Sequence, residues 1–233
     1  MPTLWFVLAM IFCSTACAPA QAASPEGGMP VTRPKNTMDL PAPRKDSAYS
    51  LERSLSERRS VREFSEAALT LVEVSQLLWA AQGVTGTGGL RTAPSAGALY
   101  PLAVYLVVGN VRDMAAGVYK YEPLKHQLAQ IATQDEREHL ASAASDQEWV
   151  AGGAVVLVLT GVERRTTGKY GERGVRYVHM EAGHAAQNVL LQAVALGLGG
   201  AVVGAFDDER VRKVLSLPKG EQPLYLVPLG RPQ

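Results

Sequence analysis

The stretch Gly174–Leu196 limits most strongly what this chain can fold into. Val178, Ala182, Ala185, Val189 and Ala193 recur at helical spacing, and Gly197 stops the run. Small residues dominate its apolar positions, which suits close helix packing. The chain has 233 residues, enough for one domain of ordinary size and a short extension.

Other elements follow from pattern. Ser47–Glu57 is predicted as a helix. Thr70–Gln82 is a second one: Thr70 and Glu73 make a capping box, Leu71, Val74, Leu77, Leu78 and Ala81 form one apolar face, and Gly83 ends it. Leu102–Val108 is a buried-type strand. Gly117–Glu122 and Gln127–Ile131 make a hairpin about Pro123-Leu124-Lys125. A polar helix near Asp135–Ala144 precedes a strand at Ala154–Thr160. After the long helix come a short strand at Ala201–Ala205, a helix capped by Asp207 or Asp208, and a last strand at Leu224–Leu229. Helices and strands mix without strict alternation, so the fold class is α+β and not a doubly wound sheet.

Both cysteines, Cys13 and Cys17, lie near the N-terminus, so cysteine-ligated zinc, iron–sulfur clusters, a catalytic thiol and a disulfide framework inside the domain are excluded. The apolar run Leu4–Phe12 is too short to cross a bilayer and is followed by small residues around Ala18–Ala23. Residues 1–23 are therefore expected to be a signal peptide, placing the protein in the periplasm or cell envelope of a bacterium. Ser14-Thr15-Ala16-Cys17 resembles a degenerate lipobox, so lipidation of Cys17 is the alternative, and the one route to a membrane. Residues 24–46 are rich in Pro, Gly and charge and are predicted as a linker, leaving 47–233 as the folded domain. With 23 basic and 22 acidic side chains and 6% aromatics, the composition gives no support to nucleic-acid binding.

Several chemistries are missing. There is no P-loop, HExxH or GxSxG. The run Gly197-Leu198-Gly199-Gly200-Ala201-Val202 lacks the third glycine of a dinucleotide fingerprint and stands between helix and strand, the wrong order. His179 and His184 do not share a helical face, and no metal site is expected.

Four segments can carry chemistry. Arg58-Arg59-Ser60-Val61-Arg62 offers guanidinium forks beside a hydroxyl, suited to a phosphate monoester, or simply a solvated basic face. Arg91–Pro101 (RTAPSAGALYP) has small residues that let a ligand approach the backbone, with Ser95 able to hydrogen bond, or is an ordinary loop. Lys169–Tyr177 (KYGERGVRY) sets a lysine beside a tyrosine, a proton donor and acceptor pair, or is a mobile surface loop. Glu181–Asn188 interrupts the small apolar helix with polar residues, suggesting a buried interface or ligand rim; His184 is expected to be an interior, hydrogen-bonded histidine.

In this order, over Ser54–Arg231, these pieces resemble the nitroreductase-like flavoproteins and their SagB/ThcOx-type dehydrogenase branch. The resemblance is carried by RRSVREF (Arg58–Phe64), LLWAAQG (Leu77–Gly83), RTAPSAGALYP, GVYKY (Gly117–Tyr121), KYGERGVRY, EAGHAAQNVLLQAVALGLGG (Glu181–Gly200), GAFDD (Gly204–Asp208) and LGRP (Leu229–Pro232). It implies a central, mostly antiparallel sheet flanked by helices, and FMN at a homodimer interface. It further implies that Arg58, Ser60 and Arg231, joined by Arg59, hold the FMN phosphate. Pro94, Ser95, Ala96 and Gly97 would lie along the flavin from one side, and Val202, Val203, Gly204 and Ala205 from the other. Lys169 and Tyr170 match the pair that removes a proton in azoline-oxidising relatives. The implied activity is hydride transfer between flavin and a small organic substrate, with NAD(P)H a candidate electron donor. The alternative is a non-catalytic flavin-binding or dimeric scaffold module.

Overall fold

The computed structural model describes residues 36–233. The predicted signal peptide, Cys17 and residues 24–35 of the predicted linker lie outside the described residues.

Continuous apolar runs in the interior strands build the frame. Seven strands, β1 (Thr37–Asp39), β2 (Leu102–Val108), β3 (Gly117–Glu122), β4 (Gln127–Ala132), β5 (Val155–Gly161), β6 (Gly199–Gly200) and β7 (Gln222–Gly230), form one sheet in the order β1-β4-β3-β2-β5-β7-β6. Every strand pair in it is antiparallel. The interior strand β5 is buried at all seven positions, as a strand covered on both faces must be.

Two apolar layers sandwich the sheet. On one face Val104, Leu106, Leu157, Leu159 and Val227 meet α2 (Leu71–Gln82) and α6 (Arg173–Ala195). On the other, Val107, Val156, Val158 and Leu226 meet α3 (Arg137–Ala143), α4 (Trp149–Gly152) and α7 (Asp208–Val214). The odd–even split along β5 is the period of two that strands impose. Helix α6 buries Val178, Ala182, Ala185, Val189 and Ala193, so the expected small-residue face is the one packed on the sheet. The Thr70–Glu73 capping box forms as expected, and Asp207 caps α7 by accepting from the Arg210 N–H. Helix α1 (Leu51–Glu57) is shorter than the sequence suggests, starting after the Ser50 cap.

Three expectations are corrected. Thr37–Asp39, inside the predicted linker, adds to the sheet edge as β1, paired with Gln127–Ala129; its polar composition fits a strand exposed on one side. The strand expected at Ala201–Ala205 is replaced by β6, just upstream. A Cβ on Gly200 would come within 2.6 Å of the Pro228 carbonyl, so only glycine permits this pairing, and beyond it the chain keeps a single bridge, Val203 to Leu226. Finally, Lys169 and Tyr170, open to a surface-loop reading, end a helix that the sequence pattern does not mark, α5 (Arg164–Tyr170). Its packing is tight: a Cβ on Gly174 would lie 2.7 Å from the Thr167 backbone nitrogen.

Candidate active site

The segment Arg91–Pro101 links α2 to β2 and departs from regular backbone where the small residues cluster. Ala98 (φ 54°) and Tyr100 (φ 45°), neither of them glycine, adopt the left-handed region beside Gly97 (φ 62°). Such backbone strain is retained where the surroundings impose it. Here they do so by hydrogen bonds. The Ser95 hydroxyl accepts from the Tyr100 N–H at 2.9 Å. Glu181 Oε1 accepts from the Ala96 N–H at 2.9 Å, and Asn188 Nδ2 donates to the Thr92 carbonyl at 3.4 Å. Glu181 and Asn188 stand two turns apart on one side of α6, so the long helix grips the loop twice. Glu181 is only 4% exposed. Burial raises its pKa, against the opposing pull of the Ala96 N–H, Ser95 and His184.

Helix α5 brings its last two residues against this loop. A Cβ on Gly97 would lie 2.8 Å from both Lys169 Nζ and Tyr170 Oη. Lysine and tyrosine therefore converge on one glycine, whose lack of a side chain is what admits them. Tyr170 is steadied by Tyr177 of α6, edge to face at 5.2 Å between ring centroids. The arrangement presents an ammonium and a phenol, both proton donors and one an acceptor, over an open stretch of backbone.

A second group of residues gathers at the β6 edge. Ser60 bridges Gly200 in parallel, and the Val61 N–H donates to the Gly200 carbonyl at 3.0 Å. Gly200 pairs with Leu229, two residues before Arg231. Arg58, at the C-terminus of α1, is half-buried, and its guanidinium has no hydrogen bond or ion pair among the described residues. Arg59 turns back instead, donating from Nη1 to the Ser56 and Arg58 carbonyls at 2.9 Å. Arg231 Nη2 donates to Glu73 Oε1 at 2.7 Å, so its charge is shared with the cap of α2. Val203 is buried and exchanges two bonds with Leu226, while Gly204 and Ala205 are exposed and Val202 is half-buried.

The structure thus brings Pro94–Gly97 to Lys169 and Tyr170, and Ser60 and Val61 to Gly200, whose partner Leu229 lies two residues before Arg231. No hydrogen bond among the described residues joins Val202–Ala205 to Pro94–Gly97. His184 is not interior: its side of α6 is exposed, and the buried polar residue of that motif is Glu181. The signal for Glu181 was present as a carboxylate interrupting a small apolar helix. Nothing in the pattern paired it with Ala96.

This fold, with a strained small-residue loop gripped by a long central helix, is that of the nitroreductase-type α+β proteins. The Nitroreductase family profile matches residues 55–231, and the chain belongs to that family. It is an oxidoreductase by that membership. A nitroreductase-like protein of Methanocaldococcus jannaschii is 46% identical over 196 residues, covering 84% of this chain and 98% of that protein. The microcin B17-processing protein McbC of Escherichia coli is 32% identical over 155 residues, 64% of this chain; the chain spans 57% of McbC. A crystal structure of a nitroreductase-like protein from Ralstonia eutropha superposes with a TM-score of 0.76 at 30% identity, covering 84% of this chain and 90% of that one. All the motifs that resemble the SagB/ThcOx-type branch begin and end within a residue of the matched span.

Proposed function

We propose that this protein is an FMN-dependent oxidoreductase of the SagB/ThcOx type, acting as a homodimer on a small organic substrate. The observation that carries the reading is the convergence of Lys169 and Tyr170 on Gly97. It sets a proton-transfer pair against the loop along which the resemblance lays the flavin.

The residues present suit that cofactor. Arg58 has a guanidinium without an ion-pair partner among the described residues, and Ser60 is exposed beside it. Guanidinium with hydroxyl is the donor set a phosphate monoester takes. Arg231 would add to it while keeping its bond to Glu73. The space beside Gly97 is taken up by Lys169 Nζ and Tyr170 Oη, and the exposed Pro94, Gly97, Gly204 and Ala205 offer backbone to a ring. Within one protomer no hydrogen bond among the described residues joins these two groups, and the resemblance implies a homodimer around the cofactor. Bound there, FMN supplies hydride acceptance and donation. The chain's own part is to bind and orient. Tyr170 Oη and Lys169 Nζ would hold or remove a proton at the substrate atom nearest Gly97, while the loop's N–H groups, bonded to Glu181 and within the loop, fix its shape. NAD(P)H is the donor to try first.

The test is the visible spectrum of the purified protein, with identification of the cofactor released on denaturation. Flavin bands and free FMN are expected. A Lys169→Ala/Tyr170→Phe variant should keep the flavin and lose at least about a hundredfold in turnover, the usual scale of a positioned acid–base group. A colourless protein that takes up no added FMN would leave the scaffold reading. Unchanged turnover in the variant would remove the roles given to Lys169 and Tyr170.

A further inference from the structure

A cavity of about 320 Å³ opens where β2 begins and β3 turns towards β4. Its charges are unequal in their partners. Lys120 pairs with Glu221 at 3.4 Å and Lys125 with Glu122 at 3.1 Å. The remaining two cations, Arg91 and Arg165, face the same space and have no carboxylate partner among the described residues. Both are fixed on Tyr100. The Arg91 guanidinium carbon lies 4.5 Å from the centroid of its ring, and Arg165 Nη1 donates to its carbonyl at 3.2 Å. Arg91 also donates from Nη1 to Gln82 Oε1 at 2.9 Å, yet its buried Nε has no partner.

Two guanidiniums drawn to one wall repel each other, and a buried N–H without an acceptor costs free energy. An oxyanion between them relieves both, and the fork geometry of arginine favours a carboxylate. The rest of the wall is apolar, with Leu102 and Leu124 beside the charges. That mixture of apolar lining and a few convergent polar groups is what a small-molecule pocket shows.

We propose that this cavity binds a small organic acid, its carboxylate between Arg91 and Arg165 and its hydrocarbon body against Leu102 and Leu124. The subsite adjoins the active corner. Arg165 stands one helical turn before Lys169 on α5, and Tyr100 closes the loop that carries Gly97. That the acid is the substrate rests on the roles given above to Lys169 and Tyr170; its binding does not.

The experiment is calorimetric titration of the purified full chain with hexanoate, hexanamide and inorganic phosphate. An aliphatic pair is chosen because an aromatic acid would also stack on a flavin. Hexanoate should bind at least about tenfold more tightly than hexanamide, a difference on the scale of one charge-assisted hydrogen bond. Arg165→Gln should abolish that preference and leave hexanamide unchanged. Arg165 is exposed, so this variant folds even where Arg91→Gln does not. Equal affinity for acid and amide, a preference kept in Arg165→Gln, or phosphate binding as tight as hexanoate and lost in Arg165→Gln would each overturn the proposal. Acid preference in a colourless protein that takes up no added FMN would uphold the subsite while removing the flavin reading.

Discussion

Glu181 Oε1 accepts the Ala96 N–H at 2.9 Å across 85 residues of sequence, so the loop along the candidate active site is tied to the central helix. Removing the acceptor in Glu181→Ala leaves that N–H unpaired, with an expected cost of about 1–3 kcal/mol. Glu181→Gln keeps an acceptor and removes the charge. Because burial raises the Glu181 pKa in the folded protein, its stabilising share is full below the unfolded value of about 4.3 and is lost as pH rises through the folded one. The wild type should therefore lose stability relative to Glu181→Gln on going from pH ~4 upward through that window. Denaturant midpoints of both proteins across that range check it, and a difference that does not vary with pH contradicts it.

Gly97→Ala tests the convergence directly. The left-handed backbone (φ 62°) costs an alanine about 1–2 kcal/mol, and its Cβ would press on Lys169 Nζ and Tyr170 Oη. Thermal unfolding should shift down by that amount. Turnover should fall at least about tenfold, because the displaced pair no longer meets the substrate at hydrogen-bond distance. Wild-type turnover with the same drop in stability would show that Gly97 serves the loop alone.

We expect export, with processing inside the small-residue stretch Ala18–Ala23. Full-length protein expressed in a bacterium with two membranes should accumulate outside the cytoplasm, with a mass that begins at or near Ser24. A mass matching a lipid-modified Cys17 terminus would select the lipoprotein route. An intact N-terminus in the cytoplasm would end the export reading.

The frame was legible where periodicity was strong. The face of α6, the capping box of α2 and the continuous apolar runs of β2 and β5 all stand in the residues themselves. Helix α5 was not legible, because RRTTGKY holds two threonines and a glycine, has Glu163 in place of a capping side chain, and shows no apolar stripe. Tertiary packing holds it, through buried Thr166 and the close approach of Gly174. For the same reason Lys169 and Tyr170 were readable as a pair but not as residues at a helix terminus. Arg91 and Arg165 lie 74 positions apart, and only the fold sets them about Tyr100. The β1 edge strand was hidden by its short, polar sequence, since three residues carry too little pattern to mark a strand.

Glu73 ties the start of α2 to the C-terminal strand, and acid should untie them. Burial alone would raise its pKa, but the Thr70 N–H and hydroxyl and the Arg231 guanidinium outweigh it and hold the carboxyl below its ordinary value. A depressed folded pKa contributes stability above the unfolded value of about 4.3, and that share is lost as pH falls through the folded one. At neutral pH, Thr70→Ala should cost about 1 kcal/mol by removing the cap, and Glu73→Gln should be destabilising as well. The loss in Glu73→Gln should shrink and vanish as the wild type is taken into acid, because protonation removes the same charge. Urea midpoints of wild type and Glu73→Gln at neutral pH and below pH ~4 decide it. A gap that persists unchanged in acid would mean that the carboxylate charge is not what binds Thr70 and Arg231, and that shape alone joins the two ends of the domain.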